Sequence, residues 1–214
     1  MLKPDSTPYR IYCAGPLFNA SERAEMEMLA DTLEQAAFKT FLPHRDGFLF
    51  AAILPDIMKV GYPLDIAQWI AQQAIFALDV YQVLVGCDAA LVNLNGRVPD
   101  EGAVCEGAVA WMAGKAVVLF KDDARSLTAG LDNPLVAGLA DFRLVTLIEQ
   151  VPEAMNRALR ACGWATVPAE VLPVPVRQAA SRGHSIAEAM GTGDFRQVVR
   201  TIIELFDVMK GSRP

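Results

Sequence analysis

Short runs in which nearly every residue is apolar alternate along this chain with longer stretches in which apolar residues recur every three or four positions. The short runs lie at residues 9–14, 39–42, 89–94 and 116–120, with a briefer one at 142–145. Apolar runs of this length, bounded by Gly, Pro or Asn, are the pattern of strands buried on both faces. Between them, residues 22–37 place Met26, Leu29, Ala30, Leu33 and Ala37 on one helical face, with Asn19 or Ser21 available as cap. Residues 64–87 and 103–113 also read as helices. Residues 48–62 are apolar without a period and read as an irregular lid, and 43–47 as a loop.

This order predicts an α/β fold with three layers: a mostly parallel five-stranded sheet, helices on both faces, of the flavodoxin or Rossmann-like kind. Ligands of such sheets bind outside the carboxyl ends of the strands. The loops at 14–19, 43–47, 95–102 and 121–133 all leave such ends. Past residue 150 the pattern changes. Residues 152–162 read as a helix, the proline-spaced stretch 167–175 as irregular, and 185–190 and 195–209 as helices. The last is amphipathic through Val198, Val199, Ile202, Ile203, Phe206 and Met209. The expected organisation is an α/β domain over 1–148 and a mainly helical extension over 149–214, packed on the core or on a neighbouring subunit.

Composition narrows the function. The 214 residues are 53% apolar and 21% charged, enough for a full core, and the net charge of −6 comes without any Lys/Arg block. Nucleic acid and anionic membranes need clustered positive charge, so neither is expected as a partner. No run of about 18 apolar residues occurs, and the first residues lack the apolar centre of a signal peptide. The four cysteines, Cys13, Cys87, Cys105 and Cys162, are scattered in apolar contexts with no C-x-x-C pair. They read as buried free thiols of a cytoplasmic protein, with no metal site.

The candidate chemistry centres on Asp100 and Glu106, set where a strand end, a Gly-bearing turn and a helix start follow one another. A carboxylate can attack the anomeric carbon of a sugar through an oxocarbenium-like transition state, while a second acidic group serves the leaving group. Asp79 and Asp88 stand nearby in sequence. The bland reading is also open: acidic residues at a helix start commonly cap it and favour its dipole. Glu106, among Ala103, Val104, Cys105, Gly107 and Ala108, is either at a pocket rim or paired inside. His44 and His184 lack partners of triad or metal type and read as surface or loop residues. Tyr12 reads as core or as a hydrogen-bond donor to a catalytic carboxylate. Gly15 lacks the G-x-G-x-x-G context, which argues against a dinucleotide site. Arg97, Lys115 and Arg125 read as isolated and solvated.

Taken together, several segments resemble the nucleoside 2-deoxyribosyltransferase family. They are Ile11-Tyr12-Cys13-Ala14-Gly15-Pro16-Leu17-Phe18, Phe41-Leu42-Pro43-His44-Arg45-Asp46-Gly47, the strand from Cys87 to Gly96, Asp100-x-Gly102-x-x-x-Glu106 followed by Gly114-Lys115, and Asp132-Asn133-Pro134-Leu135. The resemblance spans about residues 9–140. It implies transfer of 2-deoxyribose between nucleobases of 2′-deoxynucleosides, without metal or cofactor, through a glycosyl-glutamate. Glu106 would be the nucleophile, Tyr12 its orienting donor and Asp79 the acid that serves the base. Counting back from Asp88 lands on Val80, so Asp79 requires a one-residue shift.

The same resemblance gives Asp100 the deoxyribose hydroxyls, with Gly15, Phe18 and Gly102 lining the substrate. It implies a homo-oligomer in which Asn133 reaches a neighbouring site. The expected partners are deoxynucleosides and free nucleobases. This chain departs from the family in having Gly107 directly after Glu106, with Ala108 in the usual glycine place. Two other readings remain. One is a nucleoside 5′-monophosphate N-glycoside hydrolase, for which Arg23 and Arg45 would supply phosphate contacts. The other is a non-catalytic nucleoside-binding or assembly module.

Overall fold

The computed structural model describes residues 8–96, 98–123, 132–162, 168 and 171–207. Expectations for Arg97, Arg125, Met209 and the middle of the 121–133 loop fall outside these residues. The chain forms two compact units, one from residues 1–46 and 83–168, the other from 47–82 and 169–214.

The first unit holds β1 (Arg10–Ala14), α1 (Ala20–Gln35), β2 (Lys39–Phe41) and the single turn α2 (Pro43–Asp46). The second unit follows with α3 (Phe50–Lys59) and α4 (Leu64–Tyr81), which runs into a π-helical turn at Gln82–Gly86. The chain then re-enters the first unit with β3 (Ala89–Asn93), α5 (Glu101–Met112), β4 (Ala116–Phe120), the short α6 (Pro134–Ala137), β5 (Leu144–Val145) and α7 (Val151–Cys162). It ends in the second unit with α8 (Val174–Gly191) and α9 (Phe195–Phe206).

All five strands are parallel, in the order β2-β1-β3-β4-β5. The direction of winding reverses between β1 and β3, the position where open α/β sheets take their ligands. Alternation along the strands sorts the side chains to two faces. Ile11, Cys13, Leu91, Val118 and Phe120 pack with Met26, Leu29 and Leu33 of α1 and with Met155 and Leu159 of α7 in one dry core. The opposite face carries Tyr12 and Val92 and receives α5, whose Gly107 lies so close that an added Cβ would sit 2.9 Å from Val92 Cγ2. The three-layer parallel architecture expected from the apolar runs is therefore the one observed.

Several local expectations need correction. The stretch read as an irregular lid is largely helical: α3 buries Ile53 and Ile57, one turn apart, and carries Pro55 in its interior. The 43–47 loop contains the helical turn α2, fixed by Asp46, which accepts from the Leu42 N–H at 2.8 Å. The proline-spaced stretch contributes the start of α8, with Pro175 in the first turn, where a missing N–H costs nothing. α8 lies against α4 so closely that a Cβ on Gly183 would be 2.0 Å from the Ala77 carbonyl oxygen. α7 packs in the core of the first unit. Of the cysteines, Cys13 and Cys87 are buried, but Cys105 and Cys162 are exposed; all four are free.

Candidate active site

α5 begins at Asp100, whose Oδ1 accepts from the Ala103 N–H at 2.7 Å. The helix can approach the sheet because its inward positions are small: Ala103, Gly107 and Ala110 are buried. That close approach brings the half-buried Glu106 over β1. There Tyr12, fully buried in the third position of the strand, donates its phenol O–H to Glu106 Oε1 at 2.7 Å. The two residues are 94 apart in sequence. Tyr12 is itself held in place: its ring stacks on Phe41 with centroids 5.6 Å apart, and the Arg10 guanidinium lies 5.2 Å over Phe41. A fixed donor beside a half-buried carboxylate limits its rotation.

The other sequence candidates are placed as follows. Asp100 does cap α5, so the capping reading holds for it, while its second carboxylate oxygen is outside that bond. Gly102 sits in the first turn of α5, where a Cβ would be 3.1 Å from Asp100 Oδ1. At Gly15 a Cβ would stand 2.3 Å from Met26 Sδ, so packing of α1 against β1 is enough to require glycine there. Phe18 is 79% exposed, and its backbone N–H donates to Glu22 beside the capping box at Asn19. Asn133 caps the short α6 through its Oδ1, which accepts from the Leu135 N–H at 2.9 Å. Asp79 lies half-buried on α4, in the second unit.

Residues that sequence reasoning passed over tie the loops at the carboxyl end of the sheet. Lys121, directly after β4, is buried and ion-paired with Asp132, the residue before Asn133. Asn93 and Asn95 at the exit of β3 engage Glu25 of α1. At the amino end, Lys115 corrects an expectation: it is buried rather than solvated, and its Nζ donates to the Cys87 carbonyl. Burial pushes its ammonium down to about 8, against a smaller opposing pull from Cys87 and Asp88. Burial likewise raises the Cys87 thiol to about 12 and the Cys13 thiol further still, which keeps both neutral and unreactive.

The histidines also have partners. His44 Nε2 lies 3.0 Å from Glu27 Oε1 with its side chain largely buried, and His184 Nδ1 lies 3.2 Å from the Tyr81 hydroxyl. Arg23 donates to the Leu17 carbonyl at 2.9 Å. Arg45 is ion-paired with Glu34 and Asp46, which raises its guanidinium above the usual range. Among the described residues no cluster of three or more His, Cys, Asp or Glu has the arrangement of a metal site, and no helix is long and apolar enough to cross a membrane.

Known proteins resemble this chain in fold and in sequence pattern. A conserved protein of Enterococcus faecalis has a solved structure similar to this one, with a TM-score of 0.51 and 22% identity over 70% of this chain and 98% of that one. A second, the 2-deoxyribosyltransferase of Bacillus psychrosaccharolyticus, gives a TM-score of 0.49 and 17% identity over 74% of this chain and 99% of that one. No curated protein sequence matches the chain. The sequence profile described as nucleoside 2-deoxyribosyltransferase matches residues 11–156, a span that includes Tyr12, Asp100, Glu106 and Asn133, and on that match the chain belongs to the nucleoside 2-deoxyribosyltransferase family.

Proposed function

We propose that the protein transfers 2-deoxyribose from one nucleobase to another through a covalent intermediate on Glu106. The observation that carries this reading is the 2.7 Å bond from Tyr12 to Glu106, which joins a buried strand residue to a helical carboxylate. In the first step Glu106 Oε2 attacks C1′ of the deoxynucleoside while the C1′–N bond breaks. The departing base keeps the bonding electrons and takes a proton from an acidic group, the role that the family resemblance gives to Asp79. In the second step a nitrogen of the acceptor base attacks C1′, its proton passes back to that acid, and the Glu106 carboxylate is released. No cofactor is consumed, because the glycosidic bond energy is kept in the ester.

Tyr12 keeps Glu106 aimed. The Asp100 oxygen not used in the cap would accept from a deoxyribose hydroxyl, with Gly15, Phe18 and Gly102 lining the substrate. Asn133 would serve a neighbouring subunit of a homo-oligomer. In support, Leu135, two residues on, is 85% exposed, a large apolar side chain that a second subunit would cover. A neutral 5′-hydroxyl is favoured over a 5′-phosphate. Arg23 and Arg45, the cations of the hydrolase reading, already have internal partners.

The test is product analysis with 2′-deoxyinosine or thymidine, each with and without free adenine or cytosine, beside Glu106→Ala. A new deoxynucleoside that forms only with acceptor base and is lost by at least three orders of magnitude in the variant is expected. Release of free base without exchange would replace transfer by hydrolysis. Binding without turnover would leave the non-catalytic module.

A further inference from the structure

Asn95 stands on the loop leaving β3, and its carboxamide is engaged on every side. Nδ2 donates to Glu25 Oε1 of α1 at 2.5 Å and to Asp122 Oδ1, after β4, at 2.6 Å. Oδ1 accepts from the backbone N–H groups of Asp122 and Asp123 at 3.0 and 3.1 Å. Its own N–H donates to Asn93 Oδ1 at 2.9 Å, and the fully buried Asn93 donates in turn to Glu25 Oε2 at 3.0 Å. The next residue, Gly96, adopts a φ of +120° that favours glycine, and its N–H donates to Asp123 Oδ2 at 3.1 Å.

One amide thus joins α1, the exit of β3 and the exit of β4. The β3 exit runs on to Asp100 and α5, and the β4 exit runs on towards Asp132 and Asn133. The chemistry of the hub admits few residues. Two N–H groups meet two carboxylates and one carbonyl oxygen meets two backbone donors, the inventory of a primary carboxamide. A carboxylate at that position keeps the acceptor and lacks both donors, and it faces Glu25 and Asp122 at close range. An aliphatic side chain leaves four groups without their partner.

We propose that Asn95 is a positioning residue for the deoxyribosyl transfer, fixing the β3 exit loop, and with it Asp100 and the start of α5, against the β4 exit loop. This rests on the function proposed above. The substrate sugar then meets a preorganised site, because the segment that leads to Asp100 starts from a fixed point at Asn95 and Gly96.

The discriminating experiment compares wild type with Asn95→Asp and Asn95→Ala between pH 5 and pH 8. Two readouts are taken: kcat/KM for base exchange, and amide hydrogen exchange of residues 94–100 and 120–123 in the ligand-free protein, each variant referred to wild type at the same pH. Like charges on Glu25 and Asp122 raise the pH at which the introduced carboxyl ionises, and its protonated form regains one donor. Asn95→Asp should lose at least tenfold in kcat/KM at pH 8, with faster loop exchange, and recover most of both at pH 5. Asn95→Ala should show a loss that does not depend on pH.

A fall in thermal midpoint with wild-type kcat/KM in both variants would reduce Asn95 to a structural residue and overturn the proposal. Losses equal in the two variants at every pH would also overturn it, since the donor would then not matter. If wild type exchanges no bases, the transfer reading itself fails. Hydrogen exchange separates that outcome, because unaltered loop protection in Asn95→Asp at pH 8 would overturn the loop coupling alone.

Discussion

Lys115 and Lys121 stand immediately before and after β4, 6% and 5% exposed, and they meet different partners. At the carboxyl end of the sheet Lys121 is paired with the Asp132 carboxylate. At the amino end Lys115 reaches the Cys87 carbonyl, and burial lowers its ammonium to about 8. A carboxylate compensates a buried ammonium in full charge, whereas a carbonyl offers only a dipole. The carboxyl end is also where Asn93, Asn95, Glu25 and Asp122 form a network across three segments. At the amino end the Arg10 N–H donates to Asp88 Oδ2 at 2.8 Å. One end invests its polar groups in fixing loops, and the other closes the sheet.

The comparison breaks if both lysines can be replaced alike. Lys121→Met strands the Asp132 carboxylate, itself only 14% exposed, without its counter-charge. The expected loss is about 3–5 kcal/mol in denaturant unfolding. KM for the nucleoside should rise more than kcat falls, because the segment entering Asn133 loses its tether. A destabilisation below about 1 kcal/mol would remove the distinction between the two ends.

Lys115→Met probes the other end through pH. The unfolded chain holds the Lys115 proton up to its ordinary value of 10.5, while the folded protein releases it near 8. Between those values the unfolded state binds more protons, so this group's contribution to stability rises with pH. Below 8 the penalty is fully present. The difference, 10.5 − 8, corresponds to about 3 kcal/mol. Wild type should therefore gain up to about 3 kcal/mol on Lys115→Met between pH 8 and pH 10.5, read from paired unfolding curves. Parallel curves across that window would mean that Lys115 is hydrated in solution.

How much of this was legible in the sequence follows from which interactions are local. β4 was read at its observed limits because five consecutive apolar residues between Lys115 and Lys121 admit little else. Glu106 was legible as unusual because its helix lacks an evident polar face, and the local order Asp100 to Ala103 made the cap legible too. α3 was missed because Pro55 and a run of apolar residues hide the four-residue spacing of Ile53 and Ile57. The start of α8 is hidden in the sequence because proline reads as a breaker as readily as a first-turn residue. Lys115 looked solvated because its partner is a backbone carbonyl 28 residues away, which no side-chain pattern announces. Asn95 and Glu25 are 70 residues apart, and only the fold joins them.

Between the two ends of the sheet, Tyr12 offers the smallest and cleanest perturbation. Tyr12→Phe keeps the ring that stacks on Phe41 and removes only the O–H that reaches Glu106. Stability should change by about 1 kcal/mol at most, since the lost bond was to a half-buried group that water can reach. A hydrogen bond to a charged acceptor is worth about 1.5–3 kcal/mol, so base exchange should slow by roughly tenfold to a hundredfold. The loss belongs in kcat, because the phenol touches Glu106, the proposed nucleophile, rather than the bound base. If KM rose instead while kcat held, Tyr12 would be shaping the pocket wall, and the carboxyl-end loops would carry the positioning of the sugar by themselves.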